Sequence, residues 1–84
     1  MGPMESRQAI AGARLLKARR DKGWTLRDTA QRCKELGRSI DHGTIGRYEN
    51  GQSRPNPGNL TIIAKALEVN VEDLLPDEPN GSAA

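Results

Sequence analysis

The sequence predicts a small all-α domain. Three observations carry this. Apolar residues recur at helical spacing in separate segments, most segments open on a capping residue and close on a glycine or proline, and no stretch alternates apolar with polar residues as a half-buried strand would. A chain of 84 residues holds one domain. It has no Phe, one Trp and one Tyr, so aliphatic side chains must fill a compact core.

The elements follow in order. Met1 to Ser6 is expected to be an unstructured leader outside the fold, and residues 7–76 the folded domain. A first helix is expected from about Arg7 to Lys22, with Ala11, Leu15 and Ala18 on one stripe, Leu16 beside it, and Gly23 as C-cap. Thr25 opens a second helix as N-cap, with Asp28 at the partner position of a capping box. Leu26, Ala30 and Cys33 form its expected inner stripe, flanked by Thr29 and Leu36, and Gly37 ends it. Asp41 caps a short third helix, His42 to Asn50, in which Ile45 and Tyr48 point one way and His42, Gly43, Gly46 and Arg47 another. Asn56-Pro57 starts a fourth helix whose Leu60, Ile63, Ala64 and Leu67 make an i, i+3, i+4, i+7 stripe. Asn70 caps a last helix, Val71 to Leu75, closed by Pro76. Asp77 to Ala84 reads as a disordered tail or a linker to a missing domain.

Composition excludes several function classes. No run approaches the roughly 18 to 20 apolar residues of a membrane span, and no signal-peptide pattern opens the chain. Cys33 is the only cysteine, so no intramolecular disulfide forms, and a reducing cytoplasm is the expected location. One cysteine and one histidine make no structural zinc site, and no metal or other cofactor is expected. No nucleophile–base pair and no phosphate-binding glycine loop is present, so no enzymatic chemistry is assigned. The charge is uneven. Residues 1–54 carry 12 Lys/Arg against 6 Asp/Glu, and residues 55–84 carry 1 against 5. A basic front and an acidic back suggest that one face meets an anion.

The specific signal lies in the residues themselves. Arg19, Gly23-Trp24-Thr25, Ala30, Thr44-Ile45-Gly46-Arg47-Tyr48-Glu49-Asn50-Gly51, Pro55 and Ile63-Ala64-Lys65-Ala66-Leu67-Glu68-Val69 together resemble the phage-repressor-like (Cro/XRE, lambda-repressor-like) helix-turn-helix family, over roughly Ala11 to Leu75. The resemblance implies a five-helix bundle. Its second and third helices would form the helix-turn-helix, with His42 to Asn50 as recognition helix in the DNA major groove.

The resemblance also implies site residues. It places base contacts at His42, Gly43 and Arg47, and the residue reading agrees that this face is free of the apolar stripe. Arg47 is the strongest candidate, because a guanidinium can donate two hydrogen bonds to guanine. Thr25, Arg27 and Arg38 near the second helix and its turn, with Asn50, Gln52, Ser53 and Arg54 after the third, are the expected phosphate contacts. Hydroxyls, arginines and free helix N–H groups are the usual ligands of that kind. Arg19 and Glu49 match a structural pair that would fix the angle between the first and third helices. The sequence departs from the family in four ways. Ala30 to Thr44 spans fourteen residues, more than the family's usual spacing, so the residues around Lys34 to Arg38 must lengthen the second helix or the turn. Leu26 stands where a backbone-touching glutamine is common, Thr29 stands where a leucine is common before the alanine, and Gly43 replaces a side chain that often reads bases. The reading is a sequence-specific double-stranded-DNA-binding transcriptional regulator, a homodimer on DNA, in the cytoplasm with the nucleoid. The competing reading is a protein-interaction module of the same fold, antitoxin- or coactivator-like.

Overall fold

Five segments close into α-helices, with no strand, among the residues described in a computed structural model, 3–75, with side chains from Gly12 onward. They are α1 Pro3–Asp21, α2 Leu26–Glu35, α3 His42–Glu49, α4 Pro57–Leu67 and α5 Val71–Leu74. The all-α expectation therefore holds, and the helices fall within a few residues of their expected bounds. The largest difference is at the front. Residues 3–6, expected to lie outside the fold, form the first turn of α1. A proline tolerates this position because the N–H it lacks has no helical partner there. Met1, Gly2 and the expected tail from Asp77 lie outside the described residues.

Capping fixes the other starts. Thr25 Oγ1 accepts from the Asp28 N–H at 3.1 Å while the Thr25 N–H donates to Asp28 Oδ2 at 2.8 Å, a complete capping box. Asp41 Oδ2 accepts from the Gly43 N–H at 2.8 Å, and Asn56 Oδ1 from the Asn59 N–H at 2.7 Å. The lengthened stretch after α2 is resolved mainly as turn. α2 stops at Glu35, with Leu36 as C-cap. Gly37 then adopts φ 105°, and the Arg38 N–H closes back onto the Cys33 carbonyl at 3.0 Å. This is a Schellman ending, which needs the left-handed residue that glycine supplies.

The core is aliphatic and draws on every helix. Leu15, Cys33, Ile40, Ile45, Tyr48, Ile63, Ala64, Ala66, Leu67 and Leu74 are buried. The inner face of α2 is turned from its expected stripe. Thr29 and Cys33 are fully buried, whereas Leu26 and Ala30 are half-buried. Thr29 can occupy the interior because its hydroxyl donates to the Thr25 carbonyl at 3.1 Å, leaving no polar group stranded.

Two contacts set α1 against α3. Arg19 Nε and Nη2 bind Glu49 Oε2 and Oε1 at 2.6 and 3.0 Å, and Arg19 Nη1 reaches the Trp24 carbonyl at 2.7 Å. The fork is largely enclosed, with side-chain exposures of 12% and 7%. Glu49 raises the arginine pKa above its ordinary value, against the opposing effect of desolvation. The second contact is Gly12, where an added Cβ would lie 2.4 Å from the Glu49 carbonyl oxygen. The helices approach backbone to side-chain-less backbone. Between them, the arginine fork and the bare glycine fix how α3 projects from the body.

Candidate nucleic-acid interface

α3 presents two faces. Ile45 and Tyr48 are buried in the core, while Arg47 is exposed and His42 and Gly43 are half-exposed. The side chain of Arg47 runs back toward the start of its own helix, and its Nη2 donates to Thr44 Oγ1 at 3.2 Å. Helix geometry favours that direction, since Cα–Cβ bonds tilt toward the N-terminus. The guanidinium and the first turn of α3 therefore share one outward surface. The sequence places Thr44 in the family motif but not among the site residues. Its role as a rest for Arg47 is signalled only by the i, i+3 spacing of the two residues.

Gly43 lies beneath the capping carboxylate of Asp41. A Cβ there would sit 2.9 Å from Asp41 Oδ2, the oxygen that caps the helix. The carboxylate folds over the vacant position and binds the Gly43 N–H. His42 lies beside it, with Nδ1 3.9 Å from Asp41 Oδ1. The negative charge of Asp41 at this helix start is offset by the α3 dipole.

A groove connects α2 to the start of α3. Arg27, Gln31 and Lys34 line its α2 side, and Ser39, Asp41 and His42 line the other. The structure thus brings together Arg27 and His42, two of the expected contacts, and adds Gln31, Lys34 and Ser39. Lys34 and Ser39 flank the lengthened turn, whose path sequence periodicity does not specify. Thr25 is exposed at the start of α2, and its capping bond uses an oxygen lone pair, so the O–H retains its capacity to donate.

The loop after α3 folds back onto the helix. The Gln52 and Ser53 N–H groups both donate to the Arg47 carbonyl, at 2.9 and 3.4 Å, and Gly51 turns the chain at φ 77°. Asn50, Gln52 and Arg54 are exposed along this loop, with Ser53 half-buried. Arg38 stands apart from the groove. Its Nε donates to Asn59 Oδ1 at 2.5 Å, at the first turn of α4. Among the described residues, no three His, Cys, Asp or Glu side chains gather to hold a metal ion, and no helix is long and apolar enough to cross a membrane.

Residues 15–74 match a family model described as helix-turn-helix. The match takes in α1 from Leu15 onward, the capped α2–turn–α3 unit, α4 and α5. No curated protein and no solved structure matches the chain.

Proposed function

Because this chain belongs to the DNA-binding helix-turn-helix family of Cro/C1 type, we propose that it is a sequence-specific transcriptional regulator that lays α3 in the major groove of double-stranded DNA. The observation that carries the proposal is the split of α3. Ile45 and Tyr48 anchor it in the core, while Arg47, resting on Thr44, shares the outer surface with His42 and Gly43. Arg47 and His42 are the proposed base readers, with Gly43 between them on the same face. Thr25, Arg27, Asn50, Gln52, Ser53 and Arg54 are the proposed phosphate ligands, set at the start of α2 and beyond the end of α3, so that they flank the reading surface. Such contacts position a helix while base edges supply sequence information. The working form is a homodimer on two half-sites about one helical turn apart, ~34 Å, in the cytoplasm with the nucleoid.

Selection of bound sequences from random duplex DNA, followed by affinity measured against salt, tests this. Enrichment of a defined motif is expected, with log affinity falling against log salt at a slope of about −0.9 per neutralised phosphate. No enriched motif and a flat salt response would discard the DNA reading in favour of a protein-interaction module of the same fold.

A further inference from the structure

The lengthened α2–α3 turn is tied to α4 by one side chain, and through α4 to the recognition helix. Arg38 follows the glycine that ends α2, in the position whose N–H closes the Schellman turn on Cys33. Its side chain crosses to the first turn of α4. There Nε donates to Asn59 Oδ1 at 2.5 Å, and the guanidinium lies across Gly58, 2.9–3.0 Å from where a Cβ would stand. Asn59 passes the connection on. Its Nδ2 donates to the phenolic oxygen of Tyr48 at 2.9 Å, and its backbone N–H is held by Asn56. Tyr48 is buried on the inner face of α3. One amide thus links the turn, the start of α4 and the anchored side of α3, and a glycine leaves the room this requires.

This arrangement is electrostatically unusual. A cation beside a helix N-terminus opposes the helix dipole, so the charge of Arg38 gains nothing there from α4. What Arg38 gains is directional: a planar fork with a donor aimed at a fixed carbonyl oxygen. The side chain is exposed and only Nε is committed to Asn59, so the two roles part on what the residue must keep: a phosphate ligand acts through its charge, a strut through the aim of Nε.

We propose that Arg38 is a positioning residue, which sets the seating of α3 through Asn59 and Tyr48, and is not a phosphate ligand. The extra turn residues that separate this chain from its family's usual spacing are thereby converted from slack into a strut. The proposal deepens the DNA-binding reading and rests on it for its effect on specificity. The strut itself is a property of the free protein.

The test pairs a DNA-free measurement with a DNA measurement on Arg38→Lys, Arg38→Ala, Gly58→Ala and Asn59→Ala. Arg38→Lys keeps the charge and loses the fork. Gly58→Ala leaves Arg38 in place and fills its seat. In the free protein, each variant should shift the amide resonances of α3 and speed their hydrogen exchange, and adding Arg38→Lys to Asn59→Ala should change little beyond Asn59→Ala alone, because the arginine acts through that amide. On the selected duplex, each variant should lose about threefold to tenfold in preference for the cognate over a mismatched site. The salt slope should match that of the parent. Resonance changes confined to the turn would overturn the proposal. So would a Lys variant that keeps the parent's preference, or an Arg38→Ala variant that weakens all sequences equally and lowers the slope by about one. If the parent binds no duplex, the DNA-binding reading fails, and the resonance measurement alone still decides whether the strut exists.

Discussion

Single side chains decide how α3 is held and what it offers. Gly12 is the clearest case of a structural residue. In isolation, glycine in a helix costs about 1 kcal/mol relative to alanine, so Gly12→Ala would be expected to stabilise α1. Here the added methyl would meet the carbonyl oxygens of Tyr48 and Glu49 at 2.7 and 2.4 Å. Backbone cannot swing aside as a side chain can, so Gly12→Ala should lower stability by about 1–3 kcal/mol in urea denaturation. A neutral or stabilising result would show that α1 and α3 separate at little cost. Nothing in the sequence marks Gly12, because a close approach depends on the path of the partner helix. The pair Arg19 and Glu49 was legible from the family pattern, and Glu49→Ala should cost about 3 kcal/mol by stranding the enclosed guanidinium. On the outer face the same logic separates reading from positioning. Arg47→Ala should cost about 1–3 kcal/mol on the preferred duplex and relax preference at one base pair. Arg54→Ala should weaken binding to all sequences about equally and reduce the salt slope by about one. If Arg47→Ala binds every sequence as the parent does, α3 is not the reader. Both variants need unchanged circular dichroism for the comparison to count.

At the scale of elements, the polar starts were legible and the turn was not. Thr25, Asp41 and Asn56 cap their helices as their residue types and positions predict, because a cap is a local bond between a side chain and an N–H two or three residues away. Helical spacing places Cys33 correctly on the inner face of α2 but puts Ala30 where the structure buries Thr29. Periodicity ranks residues by polarity, and a threonine that satisfies its own hydroxyl within the helix escapes that ranking. The lengthened stretch before α3 was recognised by its spacing, but its solution, a glycine turn with an arginine strut, depends on α4. The cap of α3 has a consequence that can be measured. α3 has only 8 residues, two of them glycines, so it draws little on intrinsic propensity. Asp41→Ala should therefore destabilise the domain by about 0.5–2 kcal/mol, and hydrogen exchange should quicken first at Gly43, whose N–H bonds to the Asp41 carboxylate. Asp41→Asn, which keeps the accepting oxygen, should recover most of the loss. Equal losses for both variants would assign the effect to charge and not to capping.

For the molecule as a whole, the fold class was legible because helical spacing, caps and stops all point the same way, and such agreement across levels is what specifies one structure. What no local pattern could supply was the order of depth in the core, and Cys33 illustrates it. Placed on the inner stripe of α2 by spacing, it proves fully buried, level with Ile45 and Ile63 and among the contributions of three helices. Burial pushes its thiol pKa up, because the thiolate cannot be solvated there. The folded state holds its proton more tightly than the unfolded chain, so this group makes stability fall as pH climbs above the ordinary thiol range, and leaves it untouched below. The same enclosure makes Cys33 a reporter of global opening, since only the exposed thiolate reacts. Labelling by a thiol reagent at neutral pH should be slow, should follow the unfolding equilibrium across a urea series, and should match the exchange of the slowest core amides. Duplex DNA that binds only the native protein should slow labelling further, by a factor that grows as one plus the ratio of free DNA to its dissociation constant. Labelling as fast as in a denatured control would place Cys33 at the surface and remove the core described here. Slow labelling that cognate duplex leaves unchanged at saturating concentration would keep the core and count against the DNA-binding reading.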